Sequence, residues 1–336
     1  MPATVPVGLP ALQAPAPWRA GIVRRGPAGA PCGHRGIVLK LALLHLITRI
    51  VLALLWLLHW LPLGLLAPLG RGLGVVLWTL GRARRRIALR NLELCFPEKS
   101  GAEREAIALE HFKYLGRSLL ERGLLWHASA ERLKRLIHIE GPADFGDRHA
   151  GALMWLVPHF VGLDVAAVAA RFSVARPGCT VYQTQSNRLF DAAVRRGRLR
   201  FGKIRVFSRH ETARPLLRAI KEGDGFFNLP DMDFGRKDAE FVPFFGVPAC
   251  TLLTPSRMAR LLRMTVQPVV VEMLPGGQGY RVRFLEPWTS FPTDDALADT
   301  AALNRWIESE IRRNPAQYLW VHKRFKTRPR GEKSLY

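Results

Sequence analysis

The sequence predicts an α/β layered domain, a mixed sheet flanked by helices, with an N-terminal membrane helix ahead of it. Three observations predict it. Beyond about residue 136, apolar segments of strand length alternate with helical patterns. An apolar block from Ile37 to Leu80 precedes that alternation and is followed at once by arginines. Between them, Leu153–Asp164 (LMWLVPHFVGLD) runs an apolar strand into Pro158 and then presents His159 and Asp164.

The chain has 336 residues, with 50 Lys+Arg against 27 Asp+Glu and a net charge of +23. Such a balance selects a polyanionic partner, either nucleic acid or an anionic lipid surface. No helix-turn-helix, zinc-finger spacing or aromatic RNA-binding signature stands out. The hydrophobic fraction is 48% and much of it sits in the N-terminal block. A membrane surface is therefore expected, and nucleic acid is not. Cys32, Cys95, Cys179 and Cys250 lie far apart, which suggests neither a disulfide framework nor a zinc site. Each reads as a packing residue, and no metal is expected.

Residues 1–36 are rich in Pro, Ala and Gly without apolar periodicity, and read as a disordered extension. Residues 37–80 form the membrane-anchoring block. No charge occurs from Ile50 through Gly70, and Pro62, Gly64 and Pro68 interrupt that stretch. The spanning helix is therefore placed at about Leu39–Trp60, roughly 20 residues and long enough for a hydrocarbon core. Leu63–Leu80 is expected to lie in the interface. Arg82, Arg84, Arg85, Arg86 and Arg90 follow, and a basic flank of this kind stays cytoplasmic and attracts anionic headgroups.

Residues 81–336 are the catalytic domain. Glu103–Leu136 reads as helix, with acids early and bases late. Strands are expected at Ala152–Val157, Cys179–Gln183, Ile204–Phe207, Gly225–Asn228, Val266–Met273 and Tyr280–Leu285. Helices are expected at Asn187–Arg200, Thr212–Lys221, Pro255–Arg263 and Ala296–Arg313. Phe241–Leu261 reads as a Pro/Gly-punctuated apolar loop entering a helix, able to line an acyl channel or to be core.

The chemistry starts at His159 and Asp164. Five residues along a helix would turn their side chains well over a right angle apart. They can meet only where a strand gives way to a loop and the first turn of a helix, and Pro158 marks such a break. A histidine whose second nitrogen is held by a carboxylate is a general base able to take a proton from an alcohol. The pairing points to acyl transfer to a hydroxyl. In Asn187–Gly202, Arg195, Arg196, Arg198 and Arg200 crowd a helix end, suited to phosphate or carboxylate or to the helix dipole. In Phe226–Gly235 (FFNLPDMDFG), Asp231 and Asp233 follow a strand and can hold an arginine, position an acceptor or cap the turn.

Six segments in order carry a resemblance: RNLELCFPEKSGAER (Arg90–Arg104), PHFVGLD (Pro158–Asp164), RGRLRFG (Arg196–Gly202), LPDMDFG (Leu229–Gly235), FVPFFGVPACT (Phe241–Thr251) and YLWVHKRFKTRPRGE (Tyr318–Glu332). From about Ile37 onward the chain resembles the late lipid A acyltransferases, the lauroyl/myristoyl type within the lysophospholipid-acyltransferase superfamily. The resemblance implies a glycerolipid-acyltransferase-like fold in the bacterial inner membrane, with its catalytic domain facing the cytoplasm. It also implies transfer of an acyl chain from acyl carrier protein, the co-substrate, to a hydroxyacyl chain of a phosphorylated lipid A precursor, with no cofactor. By motif, His159 is the base and Asp164, where the family often has Glu, its orienting carboxylate. Arg198, Arg200, Asp231 and Asp233 are substrate-proximal by the same likeness. A glycerophospholipid acyltransferase, which also uses H-x-x-x-x-D, and an inert membrane-tethered basic protein are the alternatives.

Overall fold

The computed structural model describes residues 34–209 and 213–336, with side chains from Ala42 onward. Residues 1–33 of the expected extension, and the expected helix start at Thr212, lie outside the described residues. The chain divides into residues 1–44 and 45–336, and of the first unit only the opening of one helix is described.

Among the described residues five helices come first: α1 (His34–Leu58), α2 (Leu63–Leu80), α3 (Arg82–Cys95), α4 (Gly101–His127) and α5 (Ala130–Leu136). Strands and helices then alternate as β1 (Ile137–Glu140), α6 (Phe145–Arg148), β2 (Leu153–Leu156), α7 (Leu163–Ser173), β3 (Gly178–Tyr182), α8 (Arg188–Arg198), β4 (Ile204–Ser208), α9 (Ala213–Lys221) and β5 (Gly225–Asn228). After them come β6 (Ala239–Phe244), β7 (Val247–Leu252), α10 (Thr254–Leu261), β8 (Thr265–Met273), β9 (Tyr280–Phe284) and α11 (Ala296–Arg313).

Seven strands form one sheet in the order β1-β9-β8-β2-β5-β3-β4. Neighbours run parallel except β8 and β9. This is the expected mixed sheet with flanking helices. β2 sits near its middle, and all four of its residues are fully buried, as an apolar run between two covered faces requires. Gln267 of β8 accepts the Trp155 indole N–H at 3.1 Å, so these two buried polar groups are paired.

Two local expectations change. The helix expected over Glu103–Leu136 is two helices. α4 opens on a Ser100/Glu103 capping box, and Ser129 interrupts by capping α5 with its hydroxyl. The apolar segment read as a loop is a hairpin, β6 paired antiparallel to β7. Its two-residue turn, Phe245–Gly246, takes positive φ at both positions, the geometry that matches strand twist.

The apolar block breaks between α1 and α2, at Pro62, but not at Pro68. Among the described residues α2 is the one helix long and apolar enough to cross a membrane by length and composition, and a third of it is buried within the protein. α1 covers the expected spanning helix as far as Leu58, and its stretch with described side chains, Ala42–Leu58, is apolar. α2 packs one face on the protein: Pro62 occupies its N-cap, Pro68 lies within it, and Leu66, Ala67, Gly70 and Gly74 are buried. The reason is small-residue packing. A Cβ on Gly116 of α4 would lie 2.3 Å from the Gly70 carbonyl oxygen, so only glycines admit this backbone approach. The opposite face of α2 leaves Leu65, Leu69, Val76 and Leu80 exposed, and α1 exposes Leu46, Ile47, Ile50, Leu54 and Leu57.

Candidate active site

β2 ends at Leu156, Val157 and Pro158 carry the chain out of the sheet, and α7 starts after Gly162. His159 lies on the intervening loop, and Asp164 in the first turn of α7, as the Pro158 break predicts. Parallel β5 is the neighbour of β2, with Leu156 in register with Asn228, and the Val157 N–H extends the ladder by donating to the Asn228 carbonyl at 2.9 Å. Three residues past the ends of these strands stand His159 and Asp231. The register therefore sets the two side by side.

Their contact is close. His159 Nδ1 lies 2.6 Å from Asp231 Oδ1, and the His159 backbone N–H donates to Asp231 Oδ2 at 2.9 Å. Asp231 is 1% exposed. Burial pushes its carboxyl up, but the His159 charge and hydrogen bonds, with Arg324, outweigh it and hold the pKa below the ordinary value. Tyr318 faces the same carboxylate. Burial first and the Asp231 charge second push its phenol well above its usual pKa, so it stays protonated.

Asp164 makes a different pair from the one expected. Among the described residues its partners are Arg198 Nη2 at 3.0 Å and Arg122 Nη2, from α4, at 3.4 Å. Burial raises its pKa, and the two arginines overcome that and lower it. The motif's histidine and aspartate thus share one site, but the carboxylate bonded to the imidazole is Asp231. The physical reason is charge: two guanidinium groups converge on Asp164, whereas Asp231 is enclosed against the imidazole and the loop backbone.

The remaining expected residues separate. Arg198 lines the site. Arg200 does not, since its guanidinium bonds the Leu125 and Ala128 carbonyls at the end of α4 and lies 4.5 Å over Phe201. Asp233 accepts from Gly235 N, Thr327 N and Thr327 Oγ1 at 2.7–2.9 Å, which caps the turn and ties down the C-terminal segment. Its oxygens are thereby used within the protein. Arg122, Tyr318 and His322 are the residues that sequence reasoning missed. His322 accepts the Asp233 backbone N–H on Nε2 at 3.3 Å, and burial lowers its pKa to about 4, so it stays neutral. The quoted VHKRFK segment is the signal that could have found it. Arg122 carries none.

A cavity of about 290 Å³ opens at this point. His159, Asp164 and Arg198 line one end. Asp164, Ala167, Val168 and Arg171, one face of α7, descend along it beside β3 and β4, with Cys179 and Ile204 at the far end. From Asp164 to Arg171 is about 10 Å at the helical rise. Tyr182 to Cys179 along β3 gives about 10 Å as well. The walls between are mostly apolar: Leu163, Val206 and Phe227. A slot of this form takes a chain of methylenes with its polar end beside His159. Cys179, which could be mistaken for a nucleophile here, is pushed up to about 12 by burial and is a wall residue.

The model of the bacterial lipid A biosynthesis acyltransferase family matches residues 39–327. The chain is 35% identical to the lipid A biosynthesis lauroyltransferase of Escherichia coli K12 over 301 residues, 88% of this chain and 97% of that protein. It is 34% identical to the palmitoleoyltransferase of the same strain over 288 residues, 85% and 92% of the two chains. Identity to its myristoyltransferase is 32% over 280 residues, 81% and 83%. Three relatives named for three different acyl groups stand at nearly equal identity, so overall similarity does not set the chain length.

Proposed function

The chain belongs to the bacterial lipid A biosynthesis acyltransferases, and from that premise we propose that it moves a fatty acyl chain from acyl-acyl carrier protein to a hydroxyacyl chain of a lipid A precursor. His159 is the general base of this reading. The observation that carries it is a carboxylate-held imidazole at the mouth of an apolar slot. With Nδ1 bonded to Asp231, Nε2 is left as the proton acceptor. It takes the hydroxyl proton as the oxygen attacks the thioester carbonyl, and the tetrahedral intermediate collapses to ester and thiolate. The imidazolium then returns the proton to the departing sulfur. No covalent acyl-enzyme is needed. Arg198 spends one N–H on Asp164 and keeps others for the acceptor phosphate or the developing oxyanion.

The acceptor is a lipid, so enzyme and substrate share a surface. The exposed apolar faces of α1 and α2 enter the cytoplasmic leaflet of the inner membrane, and the arginines of α3 meet anionic headgroups. The basic surface also suits an acidic carrier protein. The test is purified protein with lauroyl-, myristoyl- and palmitoyl-acyl carrier protein and a tetraacyl precursor, read by mass spectrometry. One added acyl chain per acceptor is expected, and His159→Ala lowers turnover by roughly 10²–10⁴-fold. Near-normal turnover in folded His159→Ala refutes the mechanism.

A further inference from the structure

We propose that Asp231 is the positioning carboxylate for His159, and that Asp164 serves instead to hold Arg198 at the cavity mouth. The inference rests on the reading of His159 as the base, and it divides between two carboxylates the roles that an H-x-x-x-x-D spacing assigns to one.

Asp231 grips the histidine at two points, Nδ1 and the backbone N–H, and so fixes both the ring and the chain that carries it. The other side of the residue is fixed too, because the His159 carbonyl accepts from Leu319 N at 3.0 Å. A neutral imidazole has one N–H. With a buried ionised carboxylate at 2.6 Å from Nδ1, that proton belongs on Nδ1, and the same charge stabilises the imidazolium formed during transfer. Asp164 offers His159 no hydrogen bond among the described residues, and its oxygens face Arg198 and Arg122.

The two-point grip makes a distinctive prediction for Asp231→Asn. The backbone N–H can only donate, so it claims the amide oxygen. The amide NH₂ is then left facing Nδ1 and must donate to it. That forces the proton onto Nε2, the position that has to be free. Asp164→Asn leaves the grip intact.

The experiment is ¹⁵N-histidine NMR on the full chain in detergent micelles, with His159 assigned from the spectrum of His159→Asn, alongside steady-state kinetics. Wild type is expected to show the Nδ1–H tautomer. Asp231→Asn shows Nε2–H and loses roughly 10²–10⁴-fold in kcat with KM changed by a few-fold at most. Asp164→Asn keeps Nδ1–H and loses mainly in KM for the acceptor. Retention of Nδ1–H and of kcat in Asp231→Asn overturns the proposal, as does loss of Nδ1–H in Asp164→Asn. If Asp231→Asn does not fold, the wild-type and Asp164→Asn spectra decide alone. The tautomer is read without turnover, so failure of the acyl-transfer reading and failure of this pairing remain distinguishable.

Discussion

Ala167 is the most direct handle on the cavity. It sits one helical turn below Asp164, about 4.5 Å down the slot at the helical rise, and its side chain is partly open to the cavity. Ala167→Leu replaces a methyl by an isobutyl group inside that space and displaces about two methylenes of a bound chain. At about 0.8 kcal/mol per buried methylene, donors reaching past this level lose about 1.6 kcal/mol, a factor of about 15 in kcat/KM. Donors short enough to stop above it lose little. The assay is competition among acyl donors differing by two carbons, with the product mixture resolved by mass spectrometry. A shift toward shorter chains is expected. An unchanged product distribution at unchanged kcat/KM refutes the placement of the chain along α7.

Three other expectations follow from the same contacts. Arg198→Ala should damage transfer more than Arg195→Ala, because the first leaves the largely buried Asp164 without its nearer cation, at about 2–5 kcal/mol, whereas Arg195 reaches the Tyr182 hydroxyl; equal small effects on KM would reduce the arginines to a helix end. Leu69→Lys and Leu80→Lys should weaken sedimentation with anionic vesicles while leaving the melting temperature near wild type, whereas Gly116→Val should lower it by forcing α2 and α4 apart; the reverse pattern would mean that the exposed face of α2 is structural. His111 is fully buried and its pKa is lowered by burial to about 4 from 6.5. The unfolded chain therefore holds the extra proton between those values, so stability present above pH 6.5 is lost as pH falls toward 4, by about 3 kcal/mol in all. His111→Asn should flatten that part of the denaturation profile, and parallel curves would exclude it.

Much of this protein is written locally. β2, β5, β8 and β9 announce themselves as short apolar runs between breakers, and Pro158 marks where β2 ends, because its nitrogen has no N–H to donate to the ladder and it holds Val157 extended, out of any helix. Ser100 and Glu103 announce the start of α4 in the same local way. The site was half legible for this reason: His159 and Asp164 fall at a strand end and a helix start, which periodicity and a breaker suffice to place. Which carboxylate meets the imidazole is not local. Asp231 stands 72 residues from His159, and only the parallel register of β2 with β5 brings them together. The spacing inside PHFVGLD shows Asp164 a partner nearby but says nothing of Arg122, which arrives from α4 and, with Arg198, turns that carboxylate to another task. α2 follows the same rule. Its composition reads as membrane from end to end, and only the matching glycine of α4 reveals that one face is packed against protein. Periodicity reports which residues share a face; the partner of that face is fixed by sheet order and helix contact, which belong to the whole chain.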